Sequence, residues 1–164
     1  MRGDLSLLVP AILYKDELEK RFAEKLYTED AFYYNGYAYG NIVPTISVED
    51  NRFQFAILDK NKVVGWLAYS VIPESDTICN FGLMGFDNNI TVAKDLKCKL
   101  EELVKNHRRL EWRMIGGNKV EKHYDKFCFS HGGNKVVLHD VTKDELGYYH
   151  DECIYEIISG EVMR

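Results

Sequence analysis

Two lysines near the start of a predicted helix could hold a negatively charged group. The helix begins around residues 89–91, whose polar side chains suit an N-cap, and its first turns carry Lys94 and Lys97. Cations are unfavourable at the positive end of a helix dipole. A phosphate bound by the unpaired N–H groups there would offset this, because its negative charge attracts both the helix end and the lysines. Solvated lysines, partly offset by Asp95, explain the same pattern, so both interpretations stay open.

The strand that precedes this helix, TICNFGLMGF, contains Gly82 and Gly85. Glycine inside a strand often marks a bulge or a close approach by another backbone or a ligand. A bulge would release backbone N–H and C=O groups, which could then pair with an extended ligand. The alternative is that both glycines make room for a large neighbour such as Trp66.

Tyr124 lies partway along a predicted helix between two glycine pairs, GGNKVEKHYDKFCFSHGG. The first pair permits a sharp turn, Asn118 can cap the helix, and the second pair can end it in a left-handed conformation. One helical face carries Val120, Tyr124, Phe127 and Cys128. Tyr124 is therefore on or beside the buried face, where its hydroxyl needs a partner, although a purely packed tyrosine fits equally well.

Two other groups of residues suggest different chemistry. His123, His131 and His139 recur every eight residues, but they fall on different elements and lack the spacing of metal ligands, so no metal site is predicted. Cys128 and His131 have the helical spacing of a nucleophile and a base. No third orienting group accompanies them, which disfavours covalent catalysis.

Hydrophobic periodicity predicts the elements that position these residues. The predicted elements are a strand at 5–9, a helix from Tyr14 through Leu18, Phe22 and Leu26, a short helix and loop within 32–39, a hairpin turning at 59–62, a strand at 77–86, a helix at 90–106, a strand at 110–115, a helix within 118–131, and strands at 135–141 and 153–158. This order predicts a mixed α+β or α/β sheet with helices on its faces.

Length, charge and cysteine spacing limit the class of protein. The 164 residues fit one domain, 1–164, with a real core. The net charge of −5 argues against nucleic acid or an anionic membrane as a partner. Four cysteines without paired spacing predict reduced thiols and a cytoplasmic protein, with neither a zinc module nor a disulfide framework.

Two segments carry a family resemblance. LDKNKVVGWLAY is similar to the second and third strands of the GNAT superfamily of N-acetyltransferases, and residues 118–129 resemble its Asn…Tyr-x-Lys-x-Gly-Phe signature, with Cys128 in the glycine position. The resemblance covers about residues 14–158 and implies a three-layer fold with six to seven strands. Two features differ from the family: FDNNITVAK replaces the glycine-rich pyrophosphate loop, and Asn118 precedes Tyr124 by six residues, one fewer than usual.

The resemblance implies direct transfer of an acetyl group from acetyl-CoA, as cosubstrate, to an amine. Tyr124 would protonate the departing thiolate, and a backbone N–H near residues 84–86 would stabilise the oxyanion. The coenzyme-binding residues that it implies are Met84, Gly85, Phe86, Asn88, Asn89, Thr91, Asn118 and Tyr124.

The acceptor site implied by the resemblance is the tyrosine-rich segment after the first helix. Tyr33, Tyr34 and Tyr37 would line a pocket for a small-molecule or peptide amine, unless the segment is only a packed loop. The residues identify no general base, since Glu74 and Asp76 look like turn residues. A homodimer is left open, and the alternative function is a catalytically inactive module that binds CoA or a partner on the same scaffold.

Overall fold

A computed structural model describes residues 8–25, 31–34 and 44–160. The strands are β1 Leu8–Pro10, β2 Arg52–Asp59, β3 Lys62–Ile72, β4 Thr77–Gly85, β5 Arg109–Ile115, β6 Asn134–Lys143 and β7 Tyr149–Ile158, and the helices are α1 Lys15–Lys25, α2 Ala31–Tyr34, α3 Ile90–Asn106 and α4 Glu121–Ser130. The predicted order of elements is confirmed. β1 overlaps the predicted strand at 5–9, of which residues 5–7 lie outside the described residues, and α1 begins after a 3-10 turn at Ala11–Tyr14. Leu26 lies outside the described residues.

All seven strands form one mixed sheet in the order β1-β2-β3-β4-β5-β7-β6. Each neighbouring pair is antiparallel except β4 and β5, which are parallel. The β2–β3 hairpin turns at Lys60 and Asn61, which both have positive φ, as a two-residue turn that matches strand twist requires. Across residues 8–25, 31–34 and 44–160, no helix is both long and apolar enough to cross a membrane.

Helices cover both faces of the sheet because β3 alternates between two cores. Leu67 and Tyr69 join the larger core with residues of α3 and α4, whereas Trp66 and Ala68 join the smaller core beneath α1. The helix faces match the predicted periodicity. The buried hydrophobic residues of these three helices are Leu18 and Phe22 of α1, Leu96, Leu100 and Leu103 of α3, and Tyr124, Phe127 and Cys128 of α4. The expected three-layer arrangement is confirmed.

Strands β4 and β5 pair only at their start and then separate. Their register includes two pairs, Thr77 with Arg109 and Ile78 with Leu110. On its other side, β4 has a bulge against β3, where Asn80 adopts a positive φ of 48°. Because β7 continues to pair with β5 along its length, the sheet opens between β4 and β5 without losing the outer strands.

The two glycines of β4 were expected to mark either a bulge or space for a large neighbour, and each expectation is confirmed in part. The bulge lies just before Gly82, at Asn80, rather than at either glycine. A Cβ on Gly82 would lie 3.0 Å from the ring of Trp66, so this glycine makes room for that ring. At Gly85 the nearest atom to such a Cβ is a methyl of Val92 at 3.6 Å, which is an ordinary contact.

The start of α3 is capped as the sequence predicts. The Asn89 Oδ1 accepts a hydrogen bond of 2.8 Å from the Thr91 N–H, and the Asn89 amide donates one of 2.8 Å to Asp59 at the end of β2. This one side chain therefore ends the loop after β4 and fastens it to the hairpin.

The start of α4 lies later than predicted. Asn118 does not cap the helix directly, because its Oδ1 accepts the Val120 N–H at 3.1 Å and residues 118–120 form a turn. The helix begins at Glu121, whose carboxylate accepts the N–H of Gly117 at 2.8 Å. The Gly117 φ of +86° gives the turn that only glycine adopts easily.

The second glycine pair ends α4 as predicted. Gly132 has a φ of +70°, and the Gly133 N–H donates to the Cys128 carbonyl at 2.9 Å, which is the pattern of a left-handed helix end. A Cβ on Gly133 would lie 2.6 Å from both the Cys128 Sγ and the Glu156 carbonyl oxygen. Glycine is required at position 133 because α4 approaches β7 so closely.

Candidate active site

The opening between β4 and β5 widens into a cleft of about 1680 Å³. Residues of β4, β5, the loop before α3 and the starts of α3 and α4 line it, and Tyr33 of α2 joins them. Such an opening exposes the main chain of two strands to a ligand, because the ladder that would otherwise join them is missing.

Strand geometry determines which backbone groups of β4 point into this cleft. The Phe86 N–H donates to the Val64 carbonyl at 2.9 Å, so this pair is joined to β3. Alternation along an antiparallel ladder also turns the N–H of Met84 toward β3, and it turns those of Leu83 and Gly85 toward β5. The expected oxyanion donor within residues 84–86 is therefore neither Met84 nor Phe86, whose N–H groups point to β3, although both residues line the cleft.

Tyr124 lines the cleft from the α4 side and is only 5% exposed. Its ring centroid lies 5.5 Å from that of Trp112 and 5.9 Å from that of Tyr155, both on the strands beneath it. Within the described part of the chain, no protein group forms a hydrogen bond with its hydroxyl. Burial raises the pKa of the Tyr124 phenol well above its usual range, so the group stays protonated and can donate to a ligand.

The start of α3 offers unpaired donors at the other end of the cleft. Among the described residues, the backbone N–H groups of Asn88 and Ile90 donate to no protein group, and both residues line the cleft. The nearby carboxylate of Asp87 is neutralised by Arg21 at 2.8 Å and Lys62 at 3.3 Å. An anion at this helix end would therefore meet donors without opposition from Asp87.

Lysines add positive charge to that end. Lys94 and Lys97 line the cleft, as the phosphate hypothesis requires, and Lys97 also lies 3.8 Å from Glu101. The Asn89 side chain lines the cleft, but its amide is occupied by the helix cap. Thr91 does not line the cleft, and its N–H belongs to the same cap.

The other predicted coenzyme residue, Asn118, lines the cleft at the start of α4. Its neighbours His123 and Lys126 line the same wall. The structure thus brings seven of the eight predicted coenzyme residues to one cleft, with Thr91 as the exception.

The predicted acceptor residues are only partly described. Tyr33 lines the cleft, and its ring packs against Phe32 at 5.5 Å and against His150 at 6.4 Å. A Cβ on Gly117 would lie 3.7 Å from the Tyr33 hydroxyl, so α2 reaches the turn before α4. The side chain of Tyr34 and the whole of Tyr37 lie outside the described residues.

The sequence alone did not identify Glu152, which lines the cleft from β7 and is 4% exposed. Its Oε1 lies 3.6 Å from an Arg113 nitrogen, and its Oε2 has no hydrogen-bond partner among the described residues. Alternation in DECIYEI could have marked it, since the apolar residues Cys153, Tyr155 and Ile157 leave Glu152 on the opposite face.

The remaining candidates do not form sites. Cys128 faces the Asn134 and Glu156 carbonyls, while His131 turns away to bond the Phe127 carbonyl at 2.8 Å, so thiol and imidazole are not paired. Asp76 bonds His107 at 2.8 Å in the β3–β4 turn, as a turn residue would.

The three histidines that recur every eight residues, His123, His131 and His139, lie on different parts of the fold. His139 lies 3.2 Å from Asp151 on the last hairpin, while His123 lines the cleft on α4. In the described ranges, no group of three or more His, Cys, Asp or Glu residues is arranged to hold a metal ion.

Comparison by sequence finds no related protein. No family model matches the chain. No curated protein matches it either.

Comparison by structure finds many similar chains. A putative phosphinothricin N-acetyltransferase is 14% identical, with a TM-score of 0.69 over 96% of this chain and 100% of its own. An N-acetyltransferase from Staphylococcus aureus is 16% identical, with a TM-score of 0.66 over 94% of this chain and 99% of its own. A probable GNAT-family acetyltransferase from Chromobacterium violaceum is 15% identical, with a TM-score of 0.66 over 96% of this chain and 89% of its own. At these identities the likeness is one of fold, and the chain has the fold of the GNAT acetyltransferases.

Proposed function

We propose that this protein is an N-acetyltransferase that moves an acetyl group from acetyl-CoA to an amine by direct attack. One observation carries the proposal: the opening between β4 and β5 contains a protonated, buried tyrosine at one wall and a helix N-terminus at its end. A long thioester needs this combination of an edge for its amide groups, a donor for its sulfur and a site for its phosphates. The fold of the GNAT acetyltransferases supports the same assignment.

The coenzyme fits the cleft in one direction. Its pyrophosphate would lie at the N–H groups of Asn88 and Ile90, near Lys94, because that end carries the donors and the positive charge. The pantetheine arm would then run along β4, where the backbone of Leu83 points toward it. The thioester would reach Tyr124, which lines the opposite wall.

The transfer proceeds through one tetrahedral intermediate. The lone pair of the neutral amine attacks the thioester carbonyl carbon, a C–N bond forms, and the carbonyl π electrons move to oxygen. Collapse of the oxyanion breaks the C–S bond, whose electron pair leaves with sulfur. Tyr124 gives its proton to that sulfur, and the surplus proton of the new amide nitrogen returns to the phenolate directly or through water. The products are the acetamide and free CoA, and the scheme requires no metal.

The acceptor is a small-molecule or peptide amine. We assign it to the side of the cleft that Tyr33 lines, because the other wall is taken by the coenzyme. We also propose that residues 1–164 act as one domain in the cytoplasm.

The second candidate is a module on the same scaffold that binds the coenzyme without catalysis. Asn88 and Asn89 replace the glycines that family members use around pyrophosphate, and the Asn89 side chain is already occupied by the cap. This observation favours weak binding of the phosphates.

Calorimetry with acetyl-CoA and with CoA, followed by thiol-release assays across a panel of amines, distinguishes the two candidates. The enzyme binds acetyl-CoA and releases thiol with at least one amine. The module binds without release, and absence of binding refutes both. Lys94→Gln is expected to weaken acetyl-CoA binding several-fold, with a smaller salt dependence. Lys105→Gln, at the far end of the same helix, is the matched control and leaves the affinity unchanged.

A further inference from the structure

A buried carboxylate faces the cleft from the side of the sheet opposite Tyr124. On β7, Cys153 and Tyr155 belong to the core that contains Tyr124, so strand alternation points Glu152 to the other face. Glu152 lies opposite Ile115 at the end of β5, close to the turn that starts at Gly116. The carboxylate and the phenol thus approach the same opening from opposite faces.

Protein groups leave this carboxylate poorly satisfied. Its only described ion-pair partner is Arg113, at 3.6 Å from Oε1, and that arginine side chain is 58% exposed. Its Oε2 is shielded from solvent and lacks a hydrogen-bond partner among the described residues. Glu111, which lines the same cleft, is instead ion-paired with Arg109. A buried carboxylate needs hydrogen-bond donors or a cation nearby. The Glu152 carboxylate can therefore accept a hydrogen bond from a donor group on a ligand.

Either carboxylate oxygen can serve such a ligand. The terminal torsion of a glutamate is broad, so rotation about that bond can turn Oε2 toward the cleft without moving the backbone. Glu152 already lines the cleft, and this rotation needs no opening of the sheet.

The cleft includes apolar and aromatic walls on the face of the sheet that carries Glu152. Trp66 and Met84 belong to the core beneath α1, on the same face as Glu152, and they line the cleft together with Tyr33 and Pro44. An aromatic ring attracts a cation over its face, and apolar walls favour an apolar carrier. The site therefore suits a positively charged head on a small apolar body.

We infer that Glu152 binds the acceptor as its primary ammonium and then takes one of its protons. The inference rests on the proposed acetyl transfer and names its acceptor class, a primary alkylammonium on an apolar or aromatic carrier. An N–H bond of the ammonium breaks, its electron pair stays on nitrogen, and the proton moves to the carboxylate. The neutral amine then attacks the thioester, and Glu152 returns the proton to water after the product leaves.

The spacing permits this order of events. Glu152 and Tyr155, on which Tyr124 packs, are three residues apart on β7, or roughly 10 Å along the strand. We place the thioester carbonyl and the attacking nitrogen between Glu152 and Tyr124, with the base on one face and the acid on the other.

NMR titrations test the inference without requiring turnover. In the presence of CoA, the dissociation constants of propylammonium, benzylammonium and phenethylammonium salts are compared with those of 1-propanol, benzyl alcohol and 2-phenylethanol. The preference is the ratio of the two dissociation constants in each pair. Wild type is expected to prefer at least one ammonium over its alcohol by about tenfold or more. Glu152→Gln, which keeps the shape and removes the charge, is expected to abolish that preference. Glu111→Gln, the matched control in the same cleft, retains it.

Glu152→Asp keeps the charge and is expected to keep a reduced preference, which separates lost charge from a misfolded site. A preference that survives in Glu152→Gln overturns the inference, and so does wild type without a preference for any of the three pairs. Acetyl-CoA affinity, measured separately, is expected to be the same in Glu152→Gln and wild type. Wild type that does not bind acetyl-CoA refutes the proposed function, while the same titrations repeated without CoA still decide the ammonium site.

Discussion

Tyr124→Phe removes only the hydroxyl that the mechanism needs. The ring contacts with Trp112 and Tyr155 remain, because they do not involve the oxygen. Among the described residues the hydroxyl has no hydrogen-bond partner, so its removal leaves no other group unsatisfied. The substitution therefore separates chemistry from packing.

The expected effect on catalysis is much larger than the expected effect on stability. A general acid contributes about 10²–10⁴-fold to the rate, so kcat is expected to fall by that factor, or about 3–5 kcal/mol in activation free energy. The free energy of unfolding is expected to change by less than about 1 kcal/mol, because the hydroxyl makes no hydrogen bond with a described protein group. For a chain of this length, the Tm changes by at most about 2–4 °C.

The assay combines thiol release with calorimetry of acetyl-CoA binding and thermal unfolding. Tyr155→Phe is the matched control, because the Tyr155 hydroxyl donates to Asp125 at 2.6 Å. Its loss is expected to cost about 1–3 kcal/mol of stability with little change in kcat. Unchanged kcat in Tyr124→Phe would refute the acid role. A fall in acetyl-CoA affinity that accounts for the whole rate loss would show that Tyr124 only positions the coenzyme.

Three further predictions concern the supports of the site. Gly133→Ala is expected to lower the free energy of unfolding by about 2 kcal/mol or more, because the added Cβ would clash with α4 and β7. Gly132→Ala is expected to lower it by only about 1 kcal/mol, because that position has open space and only its left-handed φ is unfavourable. Equal losses in urea unfolding would contradict the difference. Asn89→Ala is expected to lower the free energy of unfolding by about 1–2 kcal/mol, because the helix cap is lost. An unchanged Tm would show that the cap is dispensable. The Lys135 ammonium and, to a smaller extent, the Gly117 N–H hold the pKa of the Glu121 carboxyl below its usual range. The stability that the ionised Glu121 contributes is therefore complete above its unfolded pKa of about 4.3, and it is lost as the pH falls through the lower pKa of the folded protein. Lys135→Met is expected to be less stable at pH 7 and to lose less on acidification, and an unchanged acid dependence would refute the coupling.

The sequence predicted the parts of the fold that depend on local chemistry. The β2–β3 turn and the glycine end of α4 follow from positive-φ conformations that few residues adopt. The Asn89 cap follows from a side-chain oxygen that can accept a backbone N–H. The burial of Tyr124 follows from helical periodicity within ten residues. These features required no knowledge of which strands meet.

The features that local periodicity and turn chemistry do not reveal depend on distant parts of the chain. The early separation of β4 from β5 is a property of two strands that lie more than twenty residues apart, with α3 between them. Glu152 faces the cleft only because β7 pairs with β5 in one register, and a shift by one residue would turn it to the opposite face. The start of α4 was displaced because Asn118 bonds Val120 in a local turn, which competes with a direct cap.

We expect acetyl-CoA to lie in the opening between β4 and β5 with its sulfur at Tyr124. A crystal structure of the protein with acetyl-CoA would show this placement. Pyrophosphate oxygens are expected at the N–H groups of Asn88 and Ile90, pantetheine hydrogen-bonded to the β4 backbone, and the Tyr124 oxygen within hydrogen-bond reach of the sulfur. Coenzyme bound elsewhere on the protein, or bound in the opening with the phenol turned away from sulfur, would contradict this placement.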